Sequence, residues 1–128
     1  MTDFSILVVD DNPTNMKLVS DVLEFDGFRI QTARDAETAQ EVIRASPPAL
    51  ILMDIALPGM DGLTLTRLLK ADEKTSHIII VALTAFAMKG DEELARNAGC
   101  DGYITKPINT RNLSVSIAKY LDESVGNG

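Results

Sequence analysis

The stretch that decides the fold runs from residue 50 to residue 62 and reads Leu-Ile-Leu-Met-Asp-Ile-Ala-Leu-Pro-Gly-Met-Asp-Gly. Four apolar residues, Leu50–Met53, lead directly into Asp54, and one proline and two glycines then interrupt the chain. An apolar run of this length, bounded by turn residues, is typical of a strand that is buried on both faces. A carboxylate at the carboxyl end of such a strand stands where open α/β sheets bind ligands. Asp54 is therefore either a strand-end turn residue or a reactive group.

The composition is that of an acidic chain with ordinary globular hydrophobicity. It has 128 residues, of which 45% are hydrophobic, a net charge of −7 and one cysteine, Cys100. We expect a single domain over residues 1–123, a short tail at 124–128 and no effector domain. The negative charge argues against nucleic acid or an anionic membrane surface as partner, and a lone cysteine fits a reducing compartment. Without an apolar run long enough for a signal or a bilayer span, the expected location is the cytoplasm.

Four more short apolar or alternating runs accompany this central one, and helical patterns separate them. The strands are predicted at 6–9, 28–32, 50–53, 78–83 and 102–105, and helices at about 13–25, from 36, 63–71, 88–98 and 109–122. Five strand–helix alternations with short connections predict a parallel sheet covered by helices on both faces. The expected fold class is a doubly wound, flavodoxin-like (βα)5 sheet with strand order 2-1-3-4-5.

Apolar spacing also predicts which helix faces meet the sheet. In the first helix the stripe i, i+4, i+7 falls on Leu18, Val22 and Phe25, and in the third helix three leucines, at 65, 68 and 69, are expected to point inward. In the last helix the inward residues are predicted at 113, 117 and 121. Asn12 and Asp35 are expected to cap the first two helices, and Gly27 to end the first.

A charged or hydroxyl-bearing residue stands at the end of nearly every predicted strand. The first strand is followed by Asp10-Asp11, the third by Asp54, the fourth by Thr84 and the fifth by Lys106. Because the carboxyl ends of parallel strands lie on one edge of a sheet, these five residues are expected to converge. Such a coincidence is stronger evidence for a site than any one of the residues.

The charges of these residues indicate a metal-assisted phosphoryl site. Three carboxylates within about 4–6 Å repel one another unless a cation intervenes, and hard oxygen ligands suit Mg²⁺ or Mn²⁺. A divalent ion, Lys106 and the Thr84 hydroxyl together make a cradle for a phosphoryl group. Asp54, on the central strand, is then the natural nucleophile and would form an aspartyl phosphate.

Simpler explanations exist for each residue taken singly. Asp10-Asp11 could cap a helix, Thr84 could be an ordinary strand-end residue, and Tyr103 could be a half-buried core aromatic. His77 lies in a polar connector and is better explained as an exposed histidine than as a phosphodonor, and Cys100 as a small residue near the core. The convergence of the strand ends favours the site for the first two.

The same residues resemble a known family. Asp10-Asp11, Asp54, Thr84-Ala85 and Lys106-Pro107, each after its strand, resemble the receiver domain of bacterial two-component response regulators, over nearly the whole chain. The absence of an effector domain resembles single-domain members such as the chemotaxis regulator and phosphorelay intermediates. The run 85–93 is similar to the single-domain cell-division regulators.

The resemblance implies a role for each metal-site residue. Asp11 and Asp54 would bind Mg²⁺ directly, together with the backbone carbonyl of Ala56, and Asp10 would hold the ion largely through water. Ala56 stands two residues past the acceptor, where a side chain borders the phosphoryl group.

The resemblance also implies a switch and its partners. Lys106 would contact the phosphoryl oxygens, Thr84 would hydrogen-bond to them, and the Tyr103 side chain would swing inward on activation. The phosphate would come from a histidine kinase or a histidine phosphotransfer protein. A downstream protein would bind the face formed by the fourth helix, fifth strand and fifth helix, or the phosphate would pass to the next protein of a relay.

Two other function classes share parts of this pattern. A phosphatase that uses a Mg²⁺-bound aspartyl phosphate would carry a second acid two positions after its nucleophile, but Asp54 is followed by Ile55-Ala56 and Asp10 by Asp11-Asn12. A flavin carrier would place a hydroxyl- and glycine-rich loop after the first strand, where Asp10-Asp11 would repel a phosphate. A receiver that works without phosphorylation remains a third alternative.

Overall fold

The computed structural model describes residues 5–55, 57, 59–84, 89–105 and 110–126. Within them the chain alternates strand and helix five times. The strands are β1 (Ser5–Val9), β2 (Arg29–Ala33), β3 (Leu50–Asp54), β4 (Ile79–Thr84) and β5 (Gly102–Thr105). They form one parallel sheet in the order β2-β1-β3-β4-β5, which confirms the predicted fold class.

The helices join these strands and are capped by the residues that the sequence indicates. Their bounds are α1 (Pro13–Phe25), α2 (Ala36–Ala45), α3 (Gly62–Ala71), α4 (Lys89–Ala98) and α5 (Thr110–Gly126). Asn12 accepts hydrogen bonds from two backbone amides at the start of α1, and Asp35 accepts one at the start of α2. Gly27 follows the end of α1 with a φ of 98°, a conformation that glycine adopts at little cost. Both predicted N-caps and the predicted helix end are confirmed.

Alternating strand residues divide the core between the two faces of the sheet. On one face α1 and α5 pack against strand residues that include Ile6, Leu50 and Val81. On the other face α2 and α3 pack against their neighbours along the strands, including Leu7 and Ile51. Because both faces are covered, the strands are apolar along nearly their whole length, as a buried parallel sheet requires.

The predicted inward stripe of α1 is correct at Val22, which is partly buried against the core, and wrong at its other two positions. Leu18 is 43% exposed and Phe25 is 91% exposed, whereas Val19 and Leu23 are fully buried. The helix carries two apolar stripes, and the one that meets the sheet is the second. The prediction for α3 is wrong at one position as well, because Leu68 is 47% exposed. In α5 the three predicted inward residues, at 113, 117 and 121, are buried.

One helix end and one strand end differ from the predicted ones. Helix α5 continues to Gly126, beyond the predicted end at residue 122, and β4 continues to Thr84. The predicted first residues of α4 and α5, Met88 and Asn109, lie outside the described residues.

Lys70, near the end of α3, anchors the amino edge of the sheet. Its Nζ donates to the carbonyls of Ser76 at 3.2 Å and Ile78 at 2.8 Å and to Oδ2 of Asp101 at 2.9 Å. The same Asp101 oxygen accepts from the backbone amide of Ile80 at 2.9 Å. These bonds tie α3, the start of β4 and the loop before β5 together on the side opposite Asp54.

Candidate functional site

Asp54 is the last residue of the central strand, and only 4% of it is exposed. The sheet holds its backbone, because it pairs with Leu83 of β4 and the next amide, that of Ile55, donates to the Leu83 carbonyl at 3.1 Å. A buried carboxylate on this edge is costly unless charged or hydrogen-bonding groups surround it. Its position is therefore fixed by the sheet while its side chain faces the region in which the loops meet.

Asp10 and Asp11 follow β1, the strand beside β3. Asp10 is fully buried, its amide donates to the carbonyl of Ala33 at 3.1 Å, and its Oδ1 accepts from the amide of Asn12 at 2.9 Å. Asp11 is exposed. The helix cap belongs to Asn12, so capping α1 does not account for the two acids. The turn instead directs one carboxylate inward and leaves the second at the surface.

The three acids meet as the sequence predicts. One carboxylate oxygen from each of Asp10, Asp11 and Asp54 lies within 4.8 Å of the others. Opposite oxygens around a single Mg²⁺ are about 4.2 Å apart, from Mg–O distances of about 2.1 Å. The donor set contains oxygen alone, which is what hard divalent cations prefer. The size and chemistry of this acidic cluster therefore fit Mg²⁺ or Mn²⁺.

Three predicted site residues are described only in part or not at all. Thr84 ends β4 and pairs with Thr105, one residue beyond the pairing of Asp54 with Leu83. Its backbone thus stands at the same sheet edge as Asp54, while its side chain lies outside the described part. Lys106 and Ala56 both lie outside the described residues.

Tyr103 lies at the other end of the predicted switch, on the edge strand β5. It is half-buried and lines a cavity of about 210 Å³ together with Tyr120 of α5 and Glu92 and Arg96 of α4. The ring of Tyr120 covers Gly102 so closely that a Cβ there would lie 2.3 Å from it. Tyr103 therefore borders the surface between α4, β5 and α5.

Gly62 is a site residue that the sequence analysis did not identify. It begins α3 and is buried, and a Cβ added to it would lie 2.2 Å from the backbone carbonyl oxygen of Asp54. Its amide donates to the Ile55 carbonyl at 3.3 Å, and its own carbonyl accepts from the buried Thr66 hydroxyl at 2.8 Å. A glycine at the start of a helix, just after a strand and loop, was the available signal. It allows α3 to pack directly on the end of β3.

Comparison with known proteins identifies this arrangement. Residues 6–118 match the family described as the response regulator receiver domain. The chain belongs to that family. The five-stranded parallel sheet is thus the sheet of a receiver domain, and the three acids lie at its carboxyl edge.

Similar proteins and solved structures are also response regulators. The polar-differentiation response regulator DivK of Brucella ovis is 45% identical over 120 residues, which are 94% of this chain and 98% of that protein. A CheY-like receiver domain protein from Methanospirillum hungatei superposes with a TM-score of 0.88 at 32% identity, over 98% of this chain and 99% of that one. NtrX from Brucella abortus gives a TM-score of 0.92 at 29% identity, over 99% of this chain and 29% of that one.

Membership of the family bears on two of the function classes left open by the sequence. This receiver domain is a module of two-component signal transduction, consistent with phosphoryl transfer from a histidine kinase to an aspartate. The phosphatase and flavin-carrier alternatives are not needed. Among the described residues, none of the helices has the length and hydrophobicity required for a bilayer span.

Proposed function

We propose that Asp54 is the phosphoacceptor of this receiver domain. The observation that carries the proposal is the buried position of Asp54 at the end of the central strand, with the carboxylates of Asp10 and Asp11 within 4.8 Å. An oxygen of Asp54 attacks the phosphorus of a phosphohistidine on a kinase or phosphotransfer protein. The P–O bond forms as the P–N bond breaks, and the electron pair stays with the departing imidazole nitrogen.

Asp11 and Asp54, with the carbonyl of Ala56, are proposed to hold Mg²⁺, and Asp10 to hold it through water. When bound, the ion neutralises the carboxylates and the phosphoryl oxygens, which otherwise repel the incoming group. Lys106 would hold the phosphoryl oxygens from the other side, and Thr84 would donate a hydrogen bond to them. The chain would thus assist its own phosphorylation and dephosphorylation without turning over a separate substrate.

The phosphorylated state is proposed to act through the face of α4, β5 and α5. A phosphoryl group adds about −1.5 to −2 charges at the site, which would draw Thr84 toward it and let Tyr103 turn inward. Support comes from the cavity that Tyr103 and Tyr120 line, and from Leu94, which is 49% exposed on the charged helix α4. A protein partner bound there would distinguish the two states.

The place of this module in the cell is proposed from its relatives. The Brucella proteins are named for polar differentiation, and we extend that class of role, control of cell polarity or division, to this chain. Through a receiver domain over residues 1–123, the chain is proposed to work in the cytoplasm as a relay intermediate or a terminal regulator.

Labelling with acetyl phosphate and Mg²⁺, followed by intact mass measurement, tests the acceptor. The wild-type protein should gain one phosphoryl group, the Asp54→Asn variant should gain none, and a chelator should prevent labelling. Asp61→Asn is the matched control, because Asp61 is an exposed acid whose capping of α3 asparagine can replace. Undiminished labelling of Asp54→Asn would overturn the assignment, as would equal loss in the control.

A further inference from the structure

A cavity opens directly beside the acidic cluster, between the start of α1 and the end of β2. Its volume is about 390 Å³, and its wall includes Asp11, Pro13, Met16, Ser20 and Arg34. Small-molecule sites in proteins span about 300–1,000 Å³ and are mainly apolar with a few polar groups. This space would hold about a dozen waters, or one ligand of one or two rings. Its size and its mixed wall therefore suit a small organic molecule.

The charged residues at this cavity favour an anion. Arg34 is exposed and makes no ion pair within the described residues, although the chain as a whole has a net charge of −7. Lys17 also lines the cavity; its Nζ lies 3.1 Å from Oδ2 of Asp21, in a pair whose side chains are 78% and 61% exposed. An exposed pair of this kind is worth only about 0–1 kcal/mol, so Lys17 can exchange its partner for a ligand at little cost.

The same wall contains a buried hydroxyl, that of Ser20. Ser20 is 9% exposed, and its Oγ makes no hydrogen bond to any residue that the structure describes. Because this Oγ is itself buried, a ligand in the cavity could hydrogen-bond to it only if the Ser20 side chain turned to another rotamer. The apolar Met16 and Pro13 lie in the same wall and would contact the body of such a ligand.

We propose that this cavity binds a small organic anion with an apolar body, and that its occupancy is coupled to Mg²⁺ at the acidic cluster. The acid group would pair with Arg34 and Lys17, and the body would lie against Met16 and Pro13. The coupling arises because Asp11 belongs to both sites. Its carboxylate repels the anion when bare and does so less when it holds the metal ion. The coupling, but not the anion site itself, rests on the proposed function.

The probe for this site is 8-anilinonaphthalene-1-sulfonate, which joins an apolar ring system to one negative charge and fluoresces when shielded from water. We expect saturable binding of one probe per chain, weakened about tenfold by Arg34→Gln, which removes a charge-assisted hydrogen bond. Met16→Trp should prevent binding by filling the cavity, and circular dichroism shows whether that variant is folded. Arg44→Gln is the matched control, because Arg44 is an exposed arginine in the last turn of α2 and outside the cavity wall.

Saturating Mg²⁺ should tighten probe binding several-fold, and the probe should tighten Mg²⁺ binding by the same factor, because coupling between two binding sites is reciprocal. Absence of saturable binding, or equal affinities in Arg34→Gln and Arg44→Gln, would overturn the anion site. An unchanged probe affinity in Mg²⁺ would overturn the coupling. Failure of the acceptor assignment would show separately, in the acetyl phosphate labelling of Asp54→Asn.

Discussion

Replacing Gly62 by alanine tests the contact that holds α3 against the end of the acceptor strand. The added Cβ would stand 2.2 Å from the Asp54 carbonyl oxygen and 2.9 Å from the Cα of Ile55. Ordinary carbon contacts begin at about 3.5 Å, so the helix and the strand end must separate by about 1 Å. Neither group is the tip of a flexible side chain, and neither can turn away.

The expected cost follows from the backbone nature of this contact. Overpacking in a close-packed core costs about 1–3 kcal/mol, and Gly62 belongs at the upper end of that range because only backbone atoms can yield. For a domain of this size the melting temperature should fall by roughly 10 °C. A displacement of about 1 Å at a reacting group can lower a rate about 100-fold, so labelling by acetyl phosphate should slow at least tenfold at temperatures where the variant is folded.

Gly59→Ala is the comparison, measured by thermal unfolding and by labelling rate. A Cβ on Gly59 would meet no atom of the described residues within 4 Å. Its φ of 72° adds backbone strain of about 1–2 kcal/mol. Labelling of Gly59→Ala should match the wild type once the protein is folded. If Gly62→Ala melted within a few degrees of the wild type and kept its labelling rate, the tight packing of α3 on Asp54 would not govern the site.

Two further predictions concern stability. Lys70→Met should cost about 1–3 kcal/mol, because it removes the donor to the Ser76 and Ile78 carbonyls and the ion pair with Asp101. Lys74→Met in the exposed connector should change the denaturant midpoint little. Hydrogen bonds from Thr38 lower the pKa of Asp35 from its ordinary value of 3.8. The carboxylate of Asp35 therefore stabilises the fold above about pH 3.8, and this stabilisation is lost as the pH falls through the lower pKa of the folded state. In denaturant unfolding curves, the free energy of unfolding of Asp35→Asn should fall less over that pH range than that of the wild type.

The strands and the convergence of the acids could be predicted because each depends on local sequence. An apolar run of four or five residues ending in an acid has few alternatives in a parallel sheet, so Leu50–Asp54 was assigned correctly. Alternation with helices then placed the carboxyl ends of the strands on one edge, which brought Asp10, Asp11 and Asp54 together. These steps need the order of elements and not the details of packing.

The buried face of a helix could not be predicted as reliably as the strands. In α1 the stripe through Leu18 and Phe25 and the stripe through Val19 and Leu23 both repeat at helical spacing. The choice between them depends on how α1 packs against the sheet and α5, which is a tertiary property. The close approach of Gly62 to Asp54 is likewise a tertiary distance, and spacing along the chain does not encode it.

The most direct test of the central claim identifies the phosphorylated residue in the unmodified protein. Borohydride reduces an aspartyl phosphate to homoserine, and mass spectrometry of the resulting peptides locates it. After treatment with acetyl phosphate and Mg²⁺, we predict homoserine at position 54 and at no other acid of the cluster. Homoserine at position 10 or 11, or at an acid outside the cluster such as Asp61, would contradict the account.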